Sequence, residues 1–249
     1  MQKKERQALI VEEVRTNRNV SSSVLAEKLQ VSEDTIRRDL NDLDRKGLVM
    51  KVHGGAVSTI QRLYHYNEDV IFNKESKAII AQKSNSIIKD GMVAIISGGT
   101  TNLMFAKQLP KDLKATIYTY SFPIAMQLSE HPSVEVIFLG GKINKKSMVT
   151  VGVDVVQSLS EIIADVCFIG VSSINLPNGL TDEGYEISLI KKVMIKASDK
   201  VVALATSNKL NLRQNYSVCD LKEINTLVTE LDLNEPKLQD YLSTGLQIL

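Results

Sequence analysis

SEDTIRRDL, residues 32–40, sets two adjacent arginines on a segment that otherwise reads as an amphipathic helix. Ser32 is a good N-cap, because its hydroxyl can accept from the orphan amides of a first turn. Glu33 and Asp34 suit the positive end of the helix dipole. Ile36, Leu40 and Leu43 recur at i, i+4 and i+7 and define a buried stripe. Thr35, Arg37, Arg38, Asn41 and Asp42 then fall away from the core. Taken alone, such a charge run means a solvated face, so its neighbours decide its meaning.

Upstream, residues 4–17 place Leu9, Ile10 and Val14 on one helical face. The run SSSVLAEKL, residues 21–29, offers Ser21, Ser22 or Ser23 as the cap of a second short helix. Gln30, Val31 and Ser32 separate it from the third. Downstream, Gly47 is a stop signal, and LVMKVHGGA (48–56) alternates apolar and polar residues before a glycine pair, as a short β-wing would. Helix, helix, tight turn, helix, wing is the order of a winged helix-turn-helix, whose second motif helix enters the major groove of duplex DNA. Ser22, Ser32, Asp34, Thr35, Arg37 and Arg38 are therefore candidate DNA-binding residues, joined by Lys51 and His53 from the wing. An arginine can pair with guanine or clamp a phosphate, and both alternatives stay open.

Bulk numbers neither advertise nor forbid this. The 249 residues are 43% hydrophobic and 24% charged, with a net charge of +1. Residues 1–57 carry 11 Lys and Arg against 9 Asp and Glu, the remainder 19 against 20. Phosphate contacts must come from local placement rather than global basicity. No apolar run approaches the roughly 18 residues of a membrane helix, and the first residues lack a signal core. A cytoplasmic protein without membrane contact is expected. Two distant cysteines, Cys167 and Cys219, and histidines at 53, 65 and 131 give no disulfide framework and no metal-ligand spacing, so no metal or cofactor is expected.

Residues 58–75 mix aromatics and charges without period and read as a linker; Tyr64, Tyr66 and Phe72 suit packing or base stacking. A helix follows over ESKAIIAQKSNSIIKDG, ending at Gly91. From residue 92, MVAIIS, ATIYTYS, VEVIFLG, DVCFIGV and VVALATS are short β-branched runs separated by helical stretches such as TNLMFAKQL and EGYEISLIKKVMIKAS. The fold class is α/β. A winged helix-turn-helix at residues 1–57 precedes a mainly parallel, Rossmann-like sheet domain at 76–249, covered on both faces.

In such sheets ligands bind beyond the carboxyl ends of the strands. The first strand runs into Ser97, Gly98, Gly99, Thr100 and Thr101 before a helix, a pattern suited to an anion. The second ends at Thr119, Tyr120 and Ser121, the third at Gly140, Gly141 and Lys142, the fifth at Thr206, Ser207, Asn208 and Lys209. Ser97–Thr101, Ser121, Gly140, Gly141, Lys142 and Lys209 are candidates for binding a small phosphorylated or polyhydroxy ligand. The pattern is neither G-x-G-x-x-G nor a P-loop. The fourth strand ends at Gly170–Ile174 without an ionisable group. Asp182, Glu183 and Glu186 read as openers of the next helix.

The stretch VSEDTIRRDLNDLDRKGLVMKVHGGAV resembles the signature of the DeoR family of bacterial transcriptional regulators. Lys77, Ile80, Ala81, the GTT at 99–101, GG at 140–141, FIG at 168–170 and Lys209 are similar to that family's effector domain. The resemblance implies a winged helix-turn-helix joined to a ribose-5-phosphate isomerase-like domain. It implies a repressor of a carbohydrate operon that binds its operator as a homo-oligomer and responds to a phosphorylated metabolite. Gly99, Thr100 and Thr101 would hold the phosphate, with Lys209 near. Ser97, Tyr120, Ser172, Ser173 and Thr206 depart from the family pattern, largely by loss of carboxylates. No catalysis is expected; the rival reading is a sugar-phosphate isomerase fused to the helix-turn-helix.

Overall fold

Helix α1 (Lys3–Asn17) buries Gln7, Ile10, Val11 and Val14. Leu9 is exposed, contrary to the sequence reading. With about 3.6 residues per turn, a stripe through 7, 10, 11 and 14 leaves position 9 on the opposite side. The computed structural model describes residues 3–17, 19–46, 48–52, 54–57 and 73–249. They belong to two compact units, residues 1–63 and 64–249. His53, Gly47 and most of the expected linker, with Tyr64, Tyr66 and Phe72, lie outside the described residues.

In the first unit, β1 (Asn19–Ser21) leads into α2 (Ser22–Leu29), capped by Ser21, whose hydroxyl accepts from the Val24 amide at 3.2 Å. Gln30 adopts a left-handed conformation (φ 52°) and ends the helix. Ser32 caps α3 (Glu33–Arg45) by accepting from the Thr35 amide at 3.3 Å. Ile36, Leu40 and Leu43 are buried as their spacing predicts, against Ile10, Val14 and Leu25. Strands β2 (Met50–Val52) and β3 (Gly55–Val57) form the wing hairpin, and β1 pairs with the far side of β3. The glycine pair has two separate causes. Gly54 takes φ 79°, and a Cβ on Gly55 would stand 2.2 Å from the Val20 carbonyl oxygen.

The second unit begins with α4 (Lys74–Ser84), which stops short of the expected Gly91. A seven-stranded, all-parallel sheet follows, built from β4 (Val93–Ile96), β5 (Thr116–Thr119), β6 (Glu135–Phe138), β9 (Ala164–Gly170), β12 (Ser198–Leu204), β14 (Thr226–Val228) and β15 (Gln247–Ile248). Its order is β15-β14-β12-β9-β4-β5-β6. Alternate residues serve two cores. Ile96, Phe168 and Leu204 pack toward α4, α5 (Thr100–Lys107) and α6 (Phe122–Ser129). Ile95, Cys167 and Ala203 pack toward α7 (Val153–Ser160), α8 (Tyr185–Lys196) and α9 (Pro236–Leu242). Burial on both faces explains why β4, β9 and β12 read as continuous apolar runs. Two small antiparallel assemblies complete the unit: the hairpin β7 (Lys142–Asn144)/β8 (Val149–Val151), and a sheet of β10 (Ser173–Asn175), β11 (Gly179–Asp182) and β13 (Tyr216–Cys219).

Candidate nucleic-acid interface and ligand site

The outer side of α3 carries Arg37 and Arg38, with 67% and 80% of their side chains exposed. Both reach back to Asp34, at 2.7 Å each. These are open surface pairs, worth about 0–1 kcal/mol, so a phosphate can displace the carboxylate. Thr35 is half-buried and shares a hydroxyl hydrogen bond with Ser32 at 2.9 Å. Lys51 is exposed on the wing; its ammonium donates to Asn41 Oδ1 at 2.7 Å and its amide to Asp44 Oδ1 at 2.8 Å. The wing is thereby laced to the same face of α3. Ser22 sits at the start of α2 with its amide donating to the Gly54 carbonyl at 2.8 Å, a structural tie between helix and wing turn.

Asp39 was not singled out by the sequence. It is buried, accepting from Arg6 Nε at 2.6 Å and Gln7 Nε2 at 3.1 Å. The run RRD thus points two cations outward and one anion inward.

In the second unit, β5 and β6 follow β4 on one side, while β9 lies on its other side. The crevice between the ends of β4 and β9 is therefore a topological switch point, where parallel sheets accept ligands. Ser97 and Gly170 stand there. Ser97 Oγ accepts from the Gly170 amide at 2.9 Å and from Asn102 Nδ2 at 3.0 Å. The serine does what a neutral pin would do, fastening the two strand ends together. Gly98 is required by crowding, since a Cβ would lie 2.5 Å from Val149 Cγ1 on the hairpin. Gly99 takes φ 120° and precedes Thr100 and Thr101, the first turn of α5. The first-turn amides of such a helix have no partner within it, and a helix N-terminus of this kind suits an anion.

Ser121 lies against this loop, its Oγ 3.8 Å from the position a Gly98 Cβ would take. It is fully buried, and its hydroxyl finds no partner, as is also true of Asn102 Oδ1. Most buried polar atoms in proteins are paired, so an orphan hydroxyl beside a glycine loop is a candidate contact for a ligand group. Tyr120, by contrast, turns into the hydrophobic core.

The third strand's contribution is looser. Gly140 and Gly141 are exposed, and Lys142 pairs with Glu186 at 3.5 Å. No hydrogen bond or ion pair among the described residues joins Lys142 to residues 97–101. Lys209 is half-buried at the end of a short 3-10 turn, Ser207–Lys209. The carboxylate of Glu230 accepts from the Ser207 amide at 3.0 Å. Burial raises the proton affinity of Glu230, yet the Ser207 and Thr229 hydrogen bonds prevail and hold it below the usual range.

Two readings of the fourth strand need correction. Its end is not without an ionisable group: Lys191 of α8, nearly buried, donates to the Gly170 carbonyl at 2.7 Å and to Asp182 Oδ2 at 2.6 Å. Asp182 is not a surface helix opener but a buried residue of β11, which also accepts from Ser172 Oγ at 3.0 Å and the Gly184 amide at 3.0 Å. Burial works against its ionisation, but the Lys191 charge and these hydrogen bonds outweigh it, and the carboxyl is held below its ordinary value. No sequence signal marks this cluster, because it needs the β11 register and a helical lysine nine positions on. Both cysteines are buried in the core, with thiols pushed up to about 12 by that burial. Among the described residues there is no group of three or more His, Cys, Asp or Glu placed to hold a metal. No helix among them is long and apolar enough to cross a membrane.

A winged helix-turn-helix carrying an exposed arginine pair, followed by a parallel α/β unit with a candidate ligand crevice, defines a DNA-binding transcriptional regulator with a sensor domain. The chain belongs to the DeoR family: residues 6–62 match the DeoR-like helix-turn-helix domain and residues 72–231 the DeoR C terminal sensor domain. It is similar to the HTH-type transcriptional regulator GolR of Listeria innocua, 29% identical over 246 residues, covering 98% of this chain and 97% of that protein. It is also similar to the HTH-type transcriptional repressor GlcR of Bacillus subtilis, 31% identical over 232 residues, covering 92% and 89%. Among solved structures it is similar to ribose 5-phosphate isomerase A from Methanocaldococcus jannaschii, with a TM-score of 0.42 and 19% identity over 56% of this chain and 55% of that one.

Proposed function

We propose that this regulator represses a carbohydrate-metabolism operon and that a small phosphorylated sugar or related metabolite, bound between the ends of β4 and β9, changes its operator affinity. Arg37, Arg38 and Lys51 meet the operator, with Ser32, Asp34 and Thr35 on the same face and Ser22 holding the wing. The Gly98–Thr101 loop receives the phosphate, Ser121 and Asn102 take hydroxyls, and Lys142 and Lys209 add positive charge near the rim. The observation that carries the sensing half is the buried, unpartnered Ser121 hydroxyl against the Gly98 loop. The relative named as a repressor supports the sign of regulation. A homo-oligomer would set two recognition helices on the two halves of a palindromic operator.

A non-catalytic sensor is favoured over an isomerase. Aldose–ketose interconversion needs a general base that takes up and returns a proton near neutral pH, a role a carboxylate can fill. Asp182 and Glu230 are both held below the ordinary carboxylate range, which makes each a poorer base.

Fluorescence anisotropy on the protein's own upstream DNA, with a panel of sugar phosphates and their unphosphorylated counterparts, tests the proposal. One phosphorylated compound should change operator affinity by about 5–150-fold, the usual span of allosteric coupling, while its unphosphorylated form does not. Silence across the phosphorylated panel, with DNA binding intact, would sink the sensing half. The same panel in an isomerase assay should yield no product.

A further inference from the structure

The recognition face is not a bare cationic surface. Helix α3 carries three arginines, 37, 38 and 45, against five carboxylates, 33, 34, 39, 42 and 44. One of these carboxylates holds both central arginines: Asp34 Oδ1 accepts from Arg37 Nη2 and Oδ2 from Arg38 Nη2, each at 2.7 Å. The spacings are i,i+3 and i,i+4, so the trio shares one side of the helix. Glu33, in the same first turn and also exposed, holds neither arginine.

We propose that Asp34 is a specificity-determining residue: it withholds Arg37 and Arg38 from the phosphates of non-cognate duplex and is itself read by an exocyclic amino group, cytosine N4 or adenine N6, in the cognate site. The proposal rests on α3 being the helix that enters the major groove. When a phosphate takes an arginine from Asp34, the exchange of one anion for another is nearly even for the guanidinium. Asp34 is then left as an uncompensated charge against the backbone of the duplex. A carboxylate accepts hydrogen bonds and cannot donate them. It is repelled by guanine N7 and O6 and thymine O4, and it is satisfied in the major groove by the amino groups of cytosine or adenine. A duplex with the right base at that position removes the penalty; a random duplex does not. Discrimination thus comes from what the wrong site leaves unpaired as much as from what the right site offers.

The test compares full-length Asp34→Asn and Glu33→Gln. These remove the same charge from the same helix turn and so cost α3 the same dipole interaction. Each is measured on the site the wild type selects from a random duplex library and on a mixed-sequence duplex of equal length, across a range of salt. Asp34→Asn should bind the mixed duplex about tenfold more tightly, with a salt dependence steeper by about one to two released counterions. Glu33→Gln should move much less. The ratio of selected to mixed affinity should fall for Asp34→Asn; inverting the base pair that presents the amino group, which moves that group to the other strand, should weaken the wild type but not Asp34→Ala, which keeps no acceptor there. Equal shifts for the two variants would overturn the proposal in favour of simple net charge. Loss of affinity for both duplexes would overturn it in favour of Asp34 merely orienting the arginines. If Arg37→Ala and Arg38→Ala bind both duplexes like wild type, the placement of α3 fails first, and the proposal with it.

Discussion

Arg6 Nε lies 2.6 Å from Asp39 Oδ2, joining α1 to the inner side of the recognition helix. Only 1% of the Asp39 side chain and 13% of that of Arg6 are exposed. The pair, with Gln7 as second donor, fixes the rotation of α3 and hence the direction in which Arg37 and Arg38 point.

Replacing Asp39 by Ala leaves Arg6 and Gln7 facing a buried gap. Removing one partner of a buried pair costs about 3–5 kcal/mol. The rim position of Arg6, which lets water reach it, places the expected loss near the lower end. Thermal unfolding of the isolated transition of residues 1–63 would show it. A drop below about 1 kcal/mol, the range of surface pairs, would mean the pair does not hold the helix.

Ser97 and Ser121 are both fully buried hydroxyls at the same crevice, yet they should respond oppositely to truncation. Ser97→Ala strips the acceptor from the Gly170 amide and should cost about 1–3 kcal/mol for an unsatisfied buried donor. Ser121→Ala removes a hydroxyl that has no partner and should leave unfolding unchanged or slightly raised. Its effect should appear instead as weaker effector binding, by up to about tenfold for one lost hydrogen bond. Paired denaturation and ligand titration separate the two roles.

The first unit was readable because its cues are local: serines in front of short helices, a stripe at i, i+4 and i+7, and a glycine pair after an alternating run. The inward aspartate of RRD was not, since one charge amid charges carries no period. In the second unit β4, β9 and β12 announced themselves through burial on both faces, and β5 and the edge strand β6 through their β-branched runs. β14, with only TLV, and the two-residue β15 are too short for a pattern to emerge. The Ser97–Thr101 loop was legible as strand, glycines, helix. The Asp182–Lys191 pair was not, because nothing before folding tells a buried ion pair from a helix that opens with an acid.

That pair has a pH signature. The folded-state pKa of Asp182 is lowered, so its contribution is fully present above the ordinary carboxylate value and is lost as pH falls through the depressed folded value. Stability should therefore rise with pH in the window below about pH 4 and be flat above it as far as this group is concerned. Asp182→Asn should lower stability above about pH 4, because Lys191 loses its counter-charge, by a margin that shrinks toward acid pH, and should flatten the acid limb by up to one proton. Urea midpoints between pH 2.5 and 6 measure both. An acid limb of the same slope in variant and wild type would remove Asp182 from the account.

Gly54 and Gly55 make the sharpest contrast at the wing. Gly54→Ala meets nothing within 4 Å but must hold φ 79°, at a cost of about 1–2 kcal/mol for an L residue in the left-handed region. Gly55→Ala drives its Cβ to 2.2 Å from the Val20 carbonyl oxygen and 2.9 Å from Ser21 Cα. Those are backbone atoms of β1 and cannot swing aside as a side chain would. The strand pairing of Val20 with Ala56 and Ser21 with Gly55 must open, displacing Lys51 from its hydrogen bond to Asn41. Gly55→Ala should thus destabilise by at least the upper end of the usual overpacking range, about 3 kcal/mol. At temperatures where it remains folded it should still bind operator poorly, whereas folded Gly54→Ala binds normally. Anisotropy titrations below each variant's unfolding midpoint test this, and normal binding by folded Gly55→Ala would show that the wing's placement is not needed for contact.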